Sequence, residues 1–261
     1  MTAISESVLP IIRRTREMLL PHYGSAEEVA RKGTSAHNVV TALDIEVERF
    51  LADEVGKIDP DAEFSGEENG GGRDAKRFWL CDPIDGTALF IRGIPFCTVM
   101  LALIEEGRVN FSVIYDFVND ELYHAERGKG AFKNDEPIKV SDRDAKDAYV
   151  AYETHINKKE NMERFLRLRE KVGLVKYMCA GYEYALVASG KLEGRVNFDP
   201  WGHDWDYAPG SLLVEEAGGI VANLGVRTYD YRNYDFLAAS PAFFQAMTEG
   251  PDAIFPTNLS S

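Results

Sequence analysis

Two aspartates stand three residues apart at the point where a short apolar run meets a Gly-Thr pair, in the segment Trp79-Leu80-Cys81-Asp82-Pro83-Ile84-Asp85-Gly86-Thr87. The run before them is typical of the end of a buried strand. Pro83 fixes φ and lacks a backbone donor, so the chain is predicted to leave the sheet there. Carboxylate oxygens are hard ligands that suit Mg²⁺, and two of them with a backbone carbonyl could hold one ion or bridge a pair. The alternative is a turn whose aspartates only cap a helix.

The Gly86-Thr87 pair that follows is predicted to open a helix. Free N–H groups and the positive end of the dipole at a helix start favour an anion such as phosphate. A site for both a metal ion and a phosphate is therefore one interpretation of this segment.

Three other elements accompany this segment in a fixed order: Val39-Val40-Thr41-Ala42-Leu43-Asp44, Gly66-Glu67-Glu68, and Trp205-Asp206-Tyr207-Ala208-Pro209-Gly210. With Asp-Pro-Ile-Asp-Gly-Thr between the second and third, they resemble the motifs of the inositol monophosphatase family. The resemblance covers nearly the whole chain. It implies a Mg²⁺-dependent, lithium-sensitive phosphatase that commonly forms homodimers and hydrolyses its substrate directly, without a phosphoenzyme.

The resemblance also implies roles for individual residues. It implies two or three Mg²⁺ ions whose ligands are Glu67, Asp82, Asp85, Asp206 and the carbonyl of Ile84. It places Asp44 on the more weakly bound outer ions, and it makes Thr87 and Glu67 the groups that orient the attacking water. The amides of Gly86 and Thr87 would hold the phosphate, whereas Asp199 and Glu183 are expected to contact the rest of the substrate. Lys32 lies near a lysine of the family but is interpreted first as a loop lysine.

Several residues depart from the usual family pattern. Leu89 stands where an Asn is common, and Pro209 is expected to be tolerated only in the first turn of its helix. Asp204 is interpreted as a solvated surface acid or as a group that tunes the leaving-group pocket. Glu183 replaces a small residue, which keeps a substrate other than inositol phosphate open.

Composition limits the function classes. The chain has 261 residues, of which 45% are hydrophobic, and a formal net charge of −14. Nucleic-acid and anionic-membrane binding rely on clustered Lys and Arg, so neither partner is expected. Three cysteines without Cys-x-x-Cys spacing indicate neither a disulfide framework nor a zinc site. With charged residues interrupting the first apolar stretch, no export signal is expected, and a soluble cytoplasmic protein is predicted.

Periodicity predicts mixed secondary structure. Helices are expected at the N-terminus, over 39–55, 157–170 and 181–189, and from Asp206 to Gly218; an antiparallel meander is expected over 96–125. These layers indicate an α/β (α+β) sandwich. The resemblance makes it the five-layered αβαβα fold, a single compact domain over 1–261 with two lobes, about 1–145 and 146–261.

Competing functions remain at this stage. The Asp-x-x-Asp spacing does not match the Asp-x-Asp-x-Thr of covalent aspartyl phosphatases, and no Walker loop or Gly-x-Ser-x-Gly elbow is present. The resemblance implies that the substrate is a small phosphorylated metabolite, with inositol monophosphate expected first. Fructose 1,6-bisphosphate, histidinol phosphate and 3′-phosphoadenosine nucleotides are the alternatives. A catalytically idle regulatory protein on the same fold is the alternative of another class.

Overall fold

The structure is a computed structural model that describes residues 3–31, 39–177 and 179–257. Lys32 lies outside these ranges. The α-helices of the described chain are α1 (Ala3–Leu19), α2 (Ala42–Ile58), α3 (Thr87–Ile91), α4 (Lys159–Lys171), α5 (Ala180–Ala188), α6 (Asp204–Glu216) and α7 (Pro241–Thr248). None of these helices is long and apolar enough to cross a membrane.

The strands form three sheets. A hairpin-like pair joins β1 (Glu28–Arg31) and β2 (Val39–Thr41). A seven-stranded sheet contains, in spatial and chain order, β3 (Glu63–Gly66), β4 (Arg77–Asp85), β5 (Thr98–Glu105), β6 (Arg108–Asp116), β7 (Glu121–Glu126), β8 (Gly130–Lys133) and β9 (Glu136–Ile138). Only its β3–β4 pair is parallel, so the predicted antiparallel meander is confirmed for β5 to β7.

A five-stranded sheet follows along the chain. Its strands are β10 (Tyr149–Glu153), β11 (Gly173–Val175), β12 (Gly194–Asn197), β13 (Ile220–Asn223) and β14 (Phe236–Ala239), in the spatial order β11-β10-β12-β14-β13. β10 runs parallel to both β11 and β12, whereas β14 runs antiparallel to its two neighbours. The carboxyl ends of three adjacent strands therefore meet at one edge of this sheet.

Apolar side chains on both faces of each sheet stack the elements into layers. In β4, Trp79 and Cys81 pack with α1 and α2, while Phe78 and Leu80 point to the opposite face, as the period of a strand requires. That opposite face packs on α5 and α6, which in turn cover one face of the five-stranded sheet. The far face of that sheet is covered by α4 and α7. The predicted five-layered αβαβα sandwich is confirmed.

Pro83 does not end its strand as predicted. β4 continues to Asp85, and its register against β5 shifts, since Asp82 pairs with Met100 but Asp85 pairs with Thr98. Two residues of β4 thus oppose one of β5, which is a β-bulge. A bulge tolerates a proline because it leaves a residue outside the hydrogen-bond ladder. The bulge changes the direction of the chain between the two aspartates.

Two helix predictions also need correction. The segment from Val39 to Thr41 is strand β2, and helix α2 begins only at Ala42. The helix begins there because Thr41 is its N-cap: the Thr41 side chain accepts from a backbone amide of the first turn, and the Asp44 side chain accepts from the amide of Thr41. Pro209 lies inside α6, six residues after the N-cap His203, and not in the first turn. Its missing N–H removes the helical hydrogen bond to the carbonyl of Trp205.

Candidate active site

Three carboxylates meet between the two large sheets. Asp82 and Asp85 flank the bulge of β4, and Asp206 lies in the first turn of α6. One oxygen of each lies within 4.8 Å of one oxygen of both others. We call these three residues the acidic group. The fold thus brings together residues more than 120 positions apart that the sequence had assigned to one metal site.

The electrostatics of the acidic group favour a cation. Burial, and next the negative charges of Glu67 and Asp85, raise the pKa of Asp82 well above its usual range. Burial and then the charges of Asp85 and Glu67 do the same to the pKa of Asp206. Carboxylates so placed ionise together only when a cation neutralises them. An all-oxygen donor set fits a hard divalent ion such as Mg²⁺.

Glu67 and Ile84 border the acidic group without belonging to it. The amide of Glu67 donates to the carbonyl of Cys81 at 3.1 Å, which fixes the chain after β3 beside the end of β4. Its carboxylate is close enough to raise the pKa values of Asp82 and Asp206. The carbonyl oxygen of Ile84 lies 2.8 Å from the hydroxyl of Thr87.

Asp44 lies behind Thr87 and outside the acidic group. The hydroxyl of Thr87 lies 3.0 Å from Oδ1 of Asp44, while the amide and hydroxyl of Thr41 donate to Oδ2 at 2.7 and 2.6 Å. Asp44 is 1% exposed. Burial raises its pKa to about 6, and the hydrogen bonds from Thr41 oppose that rise. Asp44 thus forms a hydrogen-bonded pair with Thr87, and the outer-ion role expected for it stays a prediction.

Asp85 is held by the start of α5, which the sequence did not reveal. Its carboxylate accepts from the amides of Ala180 at 3.2 Å and Gly181 at 2.6 Å, and from the thiol of Cys179 at 3.1 Å. Charge at a helix start is stabilised by these N–H groups. Any side chain on Gly181 would collide with the hydroxyl of Thr98, which explains the glycine.

Gly86 turns the chain from β4 into α3. Its φ is +86°, and a Cβ there would lie 2.7 Å from the carbonyl oxygen of Phe96. Both facts require glycine. The helix it opens is only five residues long, from Thr87 to Ile91, and Leu89 is buried within it. Phosphate binding by the amides of Gly86 and Thr87 remains a prediction.

Glu48 is a buried positioning residue that the sequence analysis missed. Its carboxylate accepts from the amides of Glu68 at 2.7 Å and Asn69 at 2.9 Å, and from the side-chain amide of Asn69 at 2.6 Å. It therefore fixes the loop that carries Glu67. Its position four residues after Asp44, on the same face of a helix, was the signal that could have revealed it.

Glu183 belongs to a buried charge network instead of a substrate pocket. It is 0% exposed, and its two oxygens accept from Arg195 Nε at 2.7 Å and from the amide of Tyr177 at 2.9 Å. Arg195 also donates to Glu153 at 2.6 Å. The expected substrate contact at Glu183 is thus corrected, since neither of its oxygens is left to face a ligand.

Asp199 and Asp204 also differ from expectation in their surroundings. Asp199 lies outside the acidic group; its carboxylate is partly exposed and accepts from Lys158 at 2.6 Å and from Asn161 at 2.6 Å. Asp204 is not a solvated surface acid, because it is only 6% exposed and pairs with Arg73 at 3.2 Å. The guanidinium of Arg73 in turn lies 4.6 Å above the ring of Trp205.

Comparison with known proteins identifies the family. The family model described as "Inositol monophosphatase family" matches residues 5–250. The chain belongs to the inositol monophosphatase family.

Relatives of the chain within this family carry different names. A Thermotoga maritima protein named fructose-1,6-bisphosphatase/inositol-1-monophosphatase is 33% identical over 82% of both chains. The Nus factor SuhB of Escherichia coli K12 is 30% identical over 90% of both. Among solved structures, the Thermotoga maritima IMPase has a TM-score of 0.84 at 26% identity, covering 94% of this chain and 95% of its own. The extragenic suppressor protein suhB of Bartonella henselae has a TM-score of 0.84 at 29% identity, with 92% and 95% covered.

Membership of the inositol monophosphatase family supports a phosphatase, and this family generally uses Mg²⁺. The family does not specify the substrate, since its members are named for inositol monophosphate, for fructose 1,6-bisphosphate and for a Nus factor.

Proposed function

We propose that this protein is a Mg²⁺-dependent phosphomonoesterase that hydrolyses a small phosphorylated metabolite by direct attack of water. The observation that carries the proposal is the acidic group, whose three carboxylates lie within 4.8 Å of one another beside the Thr87–Asp44 pair. The acidic group supports a site for metal-assisted phosphoryl transfer. The Thr87–Asp44 pair supports a path by which a proton leaves the attacking water.

The residues proposed to hold one or more Mg²⁺ ions are Asp82, Asp85, Asp206, Glu67 and the carbonyl of Ile84. A divalent ion bound there supplies a Lewis acid that polarises the phosphoryl oxygens and makes water more acidic. Protein groups bind the substrate and orient the water. The amides of Gly86 and Thr87 bind the phosphate, and Glu67 with Thr87 orients the water.

The Thr87–Asp44 pair accepts the proton of that water. A hydroxyl carries one proton, and that of Thr87 lies within reach of both Asp44 and the Ile84 carbonyl. Because the Ile84 carbonyl is proposed as a metal ligand, we assign the proton to Asp44, which leaves a Thr87 lone pair for the water. With a pKa of about 6, Asp44 is mostly ionised at neutral pH yet more basic than an ordinary aspartate. The new P–O bond forms from the water oxygen and the ester P–O bond breaks. Asp44 releases the proton it has accepted to solvent and the leaving alkoxide takes one from solvent, so the products are an alcohol and inorganic phosphate.

The candidate substrates are inositol monophosphate, which the family resemblance places first, and fructose 1,6-bisphosphate, histidinol phosphate and 3′-phosphoadenosine nucleotides as the alternatives. The test is phosphate release from a panel of these compounds, with and without Mg²⁺. Turnover of any of them that depends on Mg²⁺ supports the proposal. No release from any compound would reject it and favour the regulatory alternative, to which the relatives named Nus factor point. A homodimer stays a prediction for light scattering to check.

A further inference from the structure

The carboxyl ends of β10, β11 and β12 place three side chains together. Because these strands are adjacent and parallel, their carboxyl ends share one edge of the five-stranded sheet. His155 follows β10, Lys176 follows β11 and Trp201 follows β12. Crevices outside the carboxyl ends of parallel strands are where ligands bind in open α/β sheets.

These three side chains form one surface, which we call the Trp201 face. Trp201 is 52% exposed. The ammonium of Lys176 lies 5.0 Å from the centre of the indole, and the ring of His155 meets it edge to face at 5.4 Å and 84°. Within the described residues, no carboxylate lies within 4.0 Å of the Lys176 ammonium. Although burial opposes the shift, the charges of Arg195 and, from a longer distance, Lys176 lower the pKa of the buried Glu153, and the Lys176 ammonium itself can contact an anion.

The buried carboxylate of Glu153 fixes the backbone of the Trp201 face. Oε1 of Glu153 accepts from the amides of Trp201 at 3.1 Å and Gly202 at 2.9 Å, and from the hydroxyl of Tyr207 at 2.7 Å. The charge of Glu153 is in turn compensated by Arg195. An exposed indole whose backbone is fixed from inside is preorganised for contact, since little conformational entropy is lost when a ligand covers it.

The Trp201 face borders the acidic group. A Cβ on Gly202 would collide with the hydroxyl of Tyr207 and lie 3.1 Å from Oδ2 of Asp206, so the Gly202 backbone runs against that carboxylate. Trp201 is the preceding residue, and consecutive Cα atoms are ~3.8 Å apart. A phosphate at the acidic group therefore leaves the rest of a small substrate next to the indole.

We infer that the Trp201 face is the subsite for the non-reacting part of the substrate, and that it selects a planar ring that carries a second anionic group, as a phosphorylated nucleoside does. A base stacks on the indole, and the second phosphate pairs with the Lys176 ammonium. A polyol offers no planar face, and an amine-bearing substrate meets a like charge. This inference rests on the proposed function and names the substrate class of that site.

The test compares three phosphate esters in the presence of Mg²⁺: 3′-phosphoadenosine 5′-phosphate, adenosine 3′-monophosphate and inositol 1-phosphate. We expect Trp201→Ala to lower the ratio of kcat/KM for the two adenosine esters to that for inositol 1-phosphate by on the order of tenfold, since stacking of one base is worth ~1–3 kcal/mol. Trp201→Phe keeps a ring and restores most of the ratio. Lys176→Gln is expected to remove the advantage of the bisphosphate over the monophosphate.

Tyr149→Ala is the matched control, because Tyr149 is an equally exposed aromatic residue at the opposite end of β10 and should leave all three rates unchanged. A ratio that is the same in wild type and Trp201→Ala would overturn the inference. A binding measurement separates this failure from that of the proposed function.

Quenching of tryptophan fluorescence by adenosine 5′-monophosphate with Ca²⁺ provides that binding measurement. Quenching that disappears in Trp201→Phe supports the subsite even if no compound is hydrolysed, in which case the proposed function fails alone. Hydrolysis of the panel without quenching, and without a change of the ratio, retains the phosphatase and rejects the subsite.

Discussion

The hydroxyl of Thr87 lies 3.0 Å from Oδ1 of Asp44, although the two residues are 43 positions apart. One begins the short helix after the acidic strand, and the other lies in the first turn of α2. The pair connects a buried carboxylate of raised pKa to the edge of the acidic group.

Removing the Thr87 hydroxyl should interrupt this connection. We expect Thr87→Val to lower kcat by about 10²–10⁴-fold, the usual contribution of a positioned proton acceptor, with little change in Mg²⁺ affinity. Thr87→Ser keeps the hydroxyl and should retain most of the activity. Steady-state kinetics at saturating Mg²⁺ would measure both, and equal losses in the two variants would argue against the proton path.

Asp85→Asn should reduce turnover by orders of magnitude and weaken Mg²⁺ binding. We expect the variant to keep its fold but to lose about 1–3 kcal/mol in the free energy of unfolding. In the wild type the Asp85 carboxylate accepts from N–H and S–H donors, and in the variant the NH₂ group of the new asparagine would face some of these donors. Calorimetric titration of Mg²⁺ and thermal unfolding would separate the two effects. Wild-type turnover in this variant would reject the metal site.

The stability of the metal-free protein should fall as pH rises. In the unfolded chain Asp82 and Asp206 titrate near their ordinary pKa of roughly 3.9, whereas the folded protein holds their pKa values well above it. The folded state then binds more protons, so its advantage is complete below the unfolded pKa and declines as pH rises through the folded values. Thermal unfolding in chelator at several pH values would show this.

Adding Mg²⁺ should reverse this trend, because the ion competes with protons for the same oxygens. The rise in Tm on adding Mg²⁺ is expected to be larger at pH 8 than at pH 5. An increment that does not depend on pH would show that the acidic group is not where the ion binds.

Arg195 should matter more to stability than either of its carboxylate partners. Arg195→Gln removes the ion-pair partner of both buried glutamates, Glu153 and Glu183, and we expect a loss of about 3–5 kcal/mol in the free energy of unfolding. Glu153→Gln leaves the balanced Arg195–Glu183 pair and keeps an acceptor for the amides of Trp201 and Gly202, so it should cost much less. Urea unfolding of the two variants would check the order, and a reversed order would contradict it.

Gly86→Ala should lower the stability of the protein by more than the positive φ of Gly86 alone would predict. Gly107 is a matched control: its φ is +77°, close to the +86° of Gly86, but no atom lies within 4 Å of a Cβ there. We expect Gly107→Ala to cost about 1–2 kcal/mol. Gly86→Ala should cost more and lower kcat as well, because the clash with the Phe96 carbonyl displaces Thr87. Similar Tm values for the two variants would show that the clash is relieved.

The sequence was informative where local pattern and function coincide. Asp82 and Asp85 follow a buried apolar run, and their motif together with that of Asp206 was sufficient to predict one site and its fold. Partnerships across the fold were not visible, because nothing local links Thr87 to Asp44 or the loop after β3 to Glu48. Such contacts depend on how the layers dock.

Other failures came from applying local rules where tertiary contacts override them. Pro83 was expected to end its strand, but a bulge accommodates it. Glu183 and Asp204 were expected to meet substrate or solvent, as isolated acids usually do, but Glu183 pairs with the buried Arg195 and Asp204 with the exposed Arg73. A pairing of this kind cannot be inferred from spacing, since Arg73 and Asp204 are 131 residues apart.

The hydrogen bonds from the start of α5 to Asp85 bear on the order in which the protein folds. The donors at Cys179, Ala180 and Gly181 are 94 to 96 residues from their acceptor, so the closing of this contact comes with the slow, long-range steps of assembly. An intermediate in which the seven-stranded sheet has formed but α5 has not docked would carry Asp85 without its anchors and without Asp206. The metal binding that we propose at the acidic group requires both α5 and α6 to have docked, so it comes late in folding.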